Sequence, residues 1–225
     1  TILWLLALAG LVAAEIALIE DSDVRTVFIA ATALAVGFVA GPLREERLWL
    51  AGSGLIVGTT AVALAFQVQP WLDEGELDRD FTFVAAACAL AAFALAALRW
   101  RDSGWRDLNT VVWATGIVAL LSAERLAVGD WPSTIFVAAL TAGVIALLAL
   151  PSGEPRLWLA GVLIASVATA ATLAELTSPE NFFRASESPG ESLWVLLACV
   201  AALTVTAATV PTEWAGARLP LAAAA

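Results

Sequence analysis

The strongest constraint on this chain is a succession of uninterrupted apolar runs. Eight occur, at about Thr1–Ile19, Thr26–Gly41, Leu48–Val68, Phe81–Leu98, Leu108–Ala123, Thr134–Leu150, Leu157–Leu176 and Leu193–Val210. At about 1.5 Å rise per residue, runs of this length cross most or all of a hydrocarbon layer about 30 Å thick. Lipid offers a backbone amide no partner, so only helices and closed barrels span it. Barrel strands would alternate polar and apolar residues over about ten positions. These runs are continuous and rich in Ala and Leu, which favour helix. The expected fold is therefore all-α: a polytopic membrane protein of eight transmembrane helices. Composition agrees, at 61% hydrophobic and 14% charged, where a soluble domain is nearer half and a quarter. The shorter runs must tilt little or borrow interfacial residues at their ends.

A six-residue phrase occurs twice, as Arg47-Leu48-Trp49-Leu50-Ala51-Gly52 and Arg156-Leu157-Trp158-Leu159-Ala160-Gly161. Each copy follows a proline, Pro42 or Pro151, and opens an apolar run. Further matches keep the same order: Trp4 with Trp113, Glu15 with Glu124, Thr26–Ala31 with Thr134–Ala139, Pro70 with Pro179, and Cys88 with Cys199. Shared Leu/Ala bias does not produce such order. It predicts two four-helix membrane repeats, residues 1–107 and 108–225. An even number of spans per repeat sets both copies the same way up.

Arginine supplies the expected orientation. Arg44, Arg47, Arg99, Arg101, Arg106, Arg156 and Arg218 follow even-numbered spans, whereas Arg25, Arg79, Arg125 and Arg184 follow odd-numbered ones. Basic residues in short loops mark the cytoplasmic side, which places both termini there. Trp49, Trp100, Trp105 and Trp158 would then form an inner aromatic belt, and Trp71, Trp131 and Trp194 an outer one. The first run is too long for a signal peptide and lacks its basic start. A start at Thr1 without Met and the ending Ala222-Ala223-Ala224-Ala225 suggest a piece of a longer protein.

The residues also bound function. A net charge of −10 leaves no basic face for nucleic acid. The chain contains no His and no Lys. The usual haem and metal ligand, the commonest general base and the Schiff-base amine are therefore missing. Cys88 and Cys199 lie inside apolar runs without metal spacing. No nucleophile–base pair, P-loop or dinucleotide fingerprint is present. The acidic segment Asp73–Asp80 lacks the spacing of a calcium loop. No cofactor or metal is expected.

Two constellations remain. Glu15 and Glu124 take the same place in both repeats, and an acid inside a span costs a few kcal/mol and is a functional candidate. Both also lie near the outer end of their spans, where an interfacial position explains them as well. Small residues recur four apart at Gly37 and Gly41, Gly54 and Gly58, and Gly161 and Ala165. Such spacing lets helix backbones approach closely.

Ala14-Glu15-Ile16 in the first run resembles the small multidrug resistance transporters, four-helix proteins with a membrane-embedded Glu in helix one. The later helix patterns of that family do not occur here. Arg44–Gly52 and Arg156–Gly161, each followed by Leu/Ala-rich spans, resemble a bacterial family of polytopic predicted membrane proteins of unknown function. That resemblance implies a multi-pass protein of a prokaryotic cell membrane and transfers no catalytic residue. The expected function is a membrane scaffold or accessory subunit whose partners are the lipid bilayer and other membrane chains. The alternative is a secondary transporter coupled through Glu15 and Glu124.

Overall fold

A computed structural model describes residues 2–74, 79–99, 103–152, 154–177 and 189–211. Helix accounts for 91% of them and none is strand, as the argument against a barrel requires. The α-helices among them are α1 (Ile2–Leu18), α2 (Ser22–Leu43), α3 (Glu46–Glu74), α4 (Phe81–Leu98), α5 (Arg106–Val128), α6 (Trp131–Ser152), α7 (Pro155–Leu176) and α8 (Pro189–Ala208). One 3-10 turn, Ser103–Trp105, precedes α5. Six helices, α2 to α7, are long and apolar enough to cross a membrane; this is the make-up of a multi-pass membrane protein. The apolar parts of α1 and α8 are shorter, at Leu6–Leu18 and Leu193–Ala208. Segments 75–78 and 178–188, and residues from 212 on, lie outside the described residues. With them go Glu76 and Asp78 of the acidic segment, Pro179, Arg184 and Arg218; Trp100 and Arg101 also lie outside.

Several helices outrun the apolar pattern because polar residues cap them. The Asp21 carboxylate accepts from the Asp23 and Val24 amides at 2.9 and 3.0 Å, so α2 starts four residues before its apolar run. Asp130 accepts from the Ser133 amide at 2.9 Å and starts α6 early in the same way. Such side chains satisfy amides that the first helical turn leaves unpaired. Pro42 and Pro151 lie inside the last turn of α2 and α6 rather than beyond it. α3 continues through Pro70 to Glu74, past the point where a loop is expected. α5 runs on to Val128, so Glu124 and Arg125 are helical and do not follow the helix.

The chain divides into two compact units, Thr1–Ala127 and Val128–Ala225. In the first, α2 packs on α3 and α4, and α1 touches α2 lightly. α5 joins through Phe93–Trp113 ring contact at 5.3 Å between centroids. The core holds Ala30, Ala33, Trp49, Ile56, Cys88, Ala92 and Leu95. In the second unit α6 packs on α7 and α8, around Ala139, Ala142, Ala165, Cys199 and Leu203. Alanine dominates because close helix approach is what holds helices together where lipid removes the hydrophobic drive.

The duplicated phrase makes the same contacts in each unit. Leu48 and Trp49 are buried, as are Leu157 and Trp158. The Trp49 indole donates to the Leu95 carbonyl at 3.0 Å; the Trp158 indole donates to the Thr206 carbonyl at 2.9 Å. Both acceptors lie in the last turn of a helix, where carbonyls lack the usual partner four residues on. The Arg99 amide, which would serve Leu95, bonds to Ala96 instead. These two tryptophans are therefore helix caps inside the core and do not belong to an interfacial belt. Trp131 and Trp194 are exposed. Gly52 and Gly161 finish the phrase: a Cβ there would lie 2.5 Å from the Ala33 carbonyl oxygen and 2.8 Å from that of Ala142. Ala33 and Ala142 are 109 positions apart, which re-registers the second spans by one residue from the match of Thr26 with Thr134.

Trp49→Phe keeps the ring and removes the donor, leaving a buried carbonyl unpaired. It should destabilise the first unit by about 1–3 kcal/mol, measured by reversible unfolding in mixed micelles. Gly52→Ala should cost about 1–3 kcal/mol by overpacking in the same assay. Gly54→Ala, where a Cβ meets nothing within 4 Å, should be neutral or stabilising by up to about 1 kcal/mol.

Candidate functional site: the carboxylate between α1 and α2

Glu15 sits one turn before the end of α1 and is half-buried. The Thr32 hydroxyl of α2 donates to its Oε1 in a short hydrogen bond. Its Oε2 is buried and accepts nothing among the described residues. The carboxylate thus has one oxygen fixed and one buried without a described partner, where α1 meets α2. α1 is held lightly elsewhere: its flanking residues Gly10, Leu11, Ala14 and Ile16 are exposed. Arg25 reaches back from α2 to the carbonyls of Ile19 and Glu20, each at 2.9 Å. This fixes the turn between the two helices just beyond the carboxylate.

Glu124 is half-buried in the second-last turn of α5, with Oε2 buried. Thr32 escaped the sequence reading, although a signal exists: Thr141 follows Thr32 by 109 residues, as Glu124 follows Glu15. The structure places Glu15 beside Thr32, and both belong to the first unit. Glu175 is the penultimate residue of α7 and is half-buried.

The small residues divide sharply. Gly37 is buried against the Leu95 side chain, and Gly161 against the α6 backbone; Ala165 lies in the core of the second unit. Gly41, Gly54 and Gly58 are exposed and meet nothing within 4 Å, so the close packing expected of them is not made among the described residues. Gly52, which the spacing did not single out, makes the tightest backbone contact instead. Cys88 and Cys199 are both free and buried, and the Cys199 sulfur lies 3.6 Å from the Thr172 hydroxyl. Among the described residues no three of His, Cys, Asp and Glu gather where a metal ion could be held.

No protein-family model, curated protein or solved structure matches the chain.

The Glu15–Thr32 pair can be tested as a pair. A double-mutant cycle with Glu15→Ala and Thr32→Ala should give a coupling of about 1 kcal/mol, within the range of interhelical hydrogen bonds in membranes. Strictly additive effects on micellar unfolding would show that the two side chains do not interact.

Proposed function

We propose that the chain is an integral membrane scaffold or accessory subunit of a prokaryotic cell membrane, with no catalytic site of its own. In this reading its eight helices are two four-helix repeats of one orientation, made by tandem duplication, with both termini in the cytoplasm. The recurrent Trp–carbonyl and Gly–carbonyl contacts support the duplication. The arginine bias supports the orientation.

The observation that carries the functional reading is the distribution of polarity. Among the described residues the buried polar side chains are Ser53, Thr60, Asn109, Thr172, Thr206 and Thr209, and none is charged. A path for an ion or polar solute needs polar groups lining a wet interior. Here large apolar side chains point outward instead, including Phe38, Phe66, Phe83 and Leu90 in the first unit and Leu163 and Val167 in the second. Such faces suit lipid and other apolar helices. Photo-crosslinkers placed at Phe83 and Leu163 in native membranes should give discrete protein adducts at one position at least. Lipid adducts alone at both positions would contradict a scaffold.

The half-satisfied Glu15 carboxylate favours a second reading, a secondary transporter coupled through Glu15 and Glu124. Proteoliposomes carrying an imposed proton gradient separate the two. The scaffold reading expects flux equal to that of empty liposomes. Flux that is abolished by Glu15→Gln or Glu124→Gln would establish the transporter.

A further inference from the structure

A cleft of about 680 Å³ opens in the first unit, beside the C-terminal ends of α2 and α4 and the start of α3. Its walls are Gly37, Phe38 and Gly41 of α2, Trp49 of α3, and Ala97 and Leu98 of α4; its mouth carries Arg44, Glu46 and Arg99. We propose that this cleft binds one anionic phospholipid, with the phosphate at Arg44 and Arg99 and an acyl chain lying along Gly41 and Phe38.

Charge is the first argument. Glu46 is already engaged: Arg99 lies 3.5 Å from it and the Trp105 indole donates to it at 3.3 Å. The Arg44 guanidinium is exposed and pairs with no described residue. The mouth thus carries two arginines against one carboxylate, in a chain whose total is −10. Arg44 also holds a left-handed backbone, with φ 51°, at the helix C-terminus where glycine is the ordinary residue. An arginine there accepts a backbone cost that glycine would avoid.

Shape is the second argument. From Arg44 down to Gly37 the α2 wall descends about 10 Å at 1.5 Å per residue, and it is apolar throughout. A free phosphate would have no use for such a wall, whereas a lipid needs both parts. The wall is open at Gly41, where a Cβ would meet nothing within 4 Å.

The Trp and Gly contacts are made without these residues. The second unit repeats the Trp and Gly contacts, yet the positions equivalent to Gly41, Arg44, Glu46 and Arg99 are Leu150, Gly153, Pro155 and Val210. The scaffold is shared, while the cleft chemistry occurs once. Basic pockets among transmembrane helices at the cytoplasmic face recognise anionic headgroups on these same principles.

The test uses the full chain in mild detergent, titrated with phosphatidylglycerol or phosphatidylcholine and read by native mass spectrometry. One phosphatidylglycerol should bind tightly and phosphatidylcholine should not. Arg44→Gln should weaken that binding about fivefold, and Gly41→Phe should lower it by obstructing the chain. Thermal stability of both variants in phosphatidylcholine should match the parent. Inorganic phosphate at 10-fold excess should not displace the lipid. Equal binding of the two lipids would overturn the proposal. So would displacement by phosphate, which would mark a simple anion site. A stability loss for Arg44→Gln in phosphatidylcholine without a change in lipid binding would also overturn it, since Arg44 would then only complement the end of α2.

Discussion

The fold depends on what happens to carbonyl groups at the ends of helices that lie against lipid. The last turn of every helix leaves such groups without backbone partners, and hydrocarbon supplies none. Here side chains from neighbouring elements close the ends. Trp49 serves α4, Trp158 serves α8, and Arg25 serves the turn after α1. In the two tryptophan cases the same bond also fixes where one helix meets the next. The indole can reach its carbonyl only if α3 lies close to α4, or α7 to α8, while Gly52 and Gly161 allow the close approach of α3 to α2 and of α7 to α6. One short phrase thus sets a cap, a crossing and a core.

This explains why the phrase is the best preserved part of the two halves while its surroundings differ. A cap and a backbone contact both demand one residue type, because no other side chain supplies an indole donor and no other residue lacks a Cβ. Core positions such as Ile56 and Ala165, or Leu95 and Thr206, exchange volume and polarity freely. At the mouth of the cleft, Arg44 and Arg99 have no counterparts in the second half.

The helices were legible in the sequence because apolar continuity directly reflects the solvent they meet; Phe81–Leu98 was read to the residue. Their ends were less legible. Asp21 and Asp130 extend α2 and α6 through caps that hydropathy does not register, and a proline in the last helical turn removes an amide without ending the helix. The roles of Trp49 and Trp158 were misread, since a tryptophan next to arginine looks like an interfacial anchor until the carbonyl it serves is known. Spacing alone also failed to sort the glycines. Gly54 and Gly58 carry the four-residue pattern on an open face, whereas Gly52 makes the contact without it. For Glu15, the acid was visible but its partner was not, because a hydroxyl in an apolar run becomes meaningful only when the facing helix is in place.

The account rests on buried indole caps in a lipid-embedded core, and hydrogen exchange at the tryptophan side chains addresses that directly. With ¹⁵N-labelled indoles in lipid nanodiscs, the Nε1 protons of Trp49 and Trp158 should exchange about a hundredfold or more slower than those of Trp131 and Trp194. Exchange of Trp49 and Trp158 as fast as that of the exposed pair would contradict it.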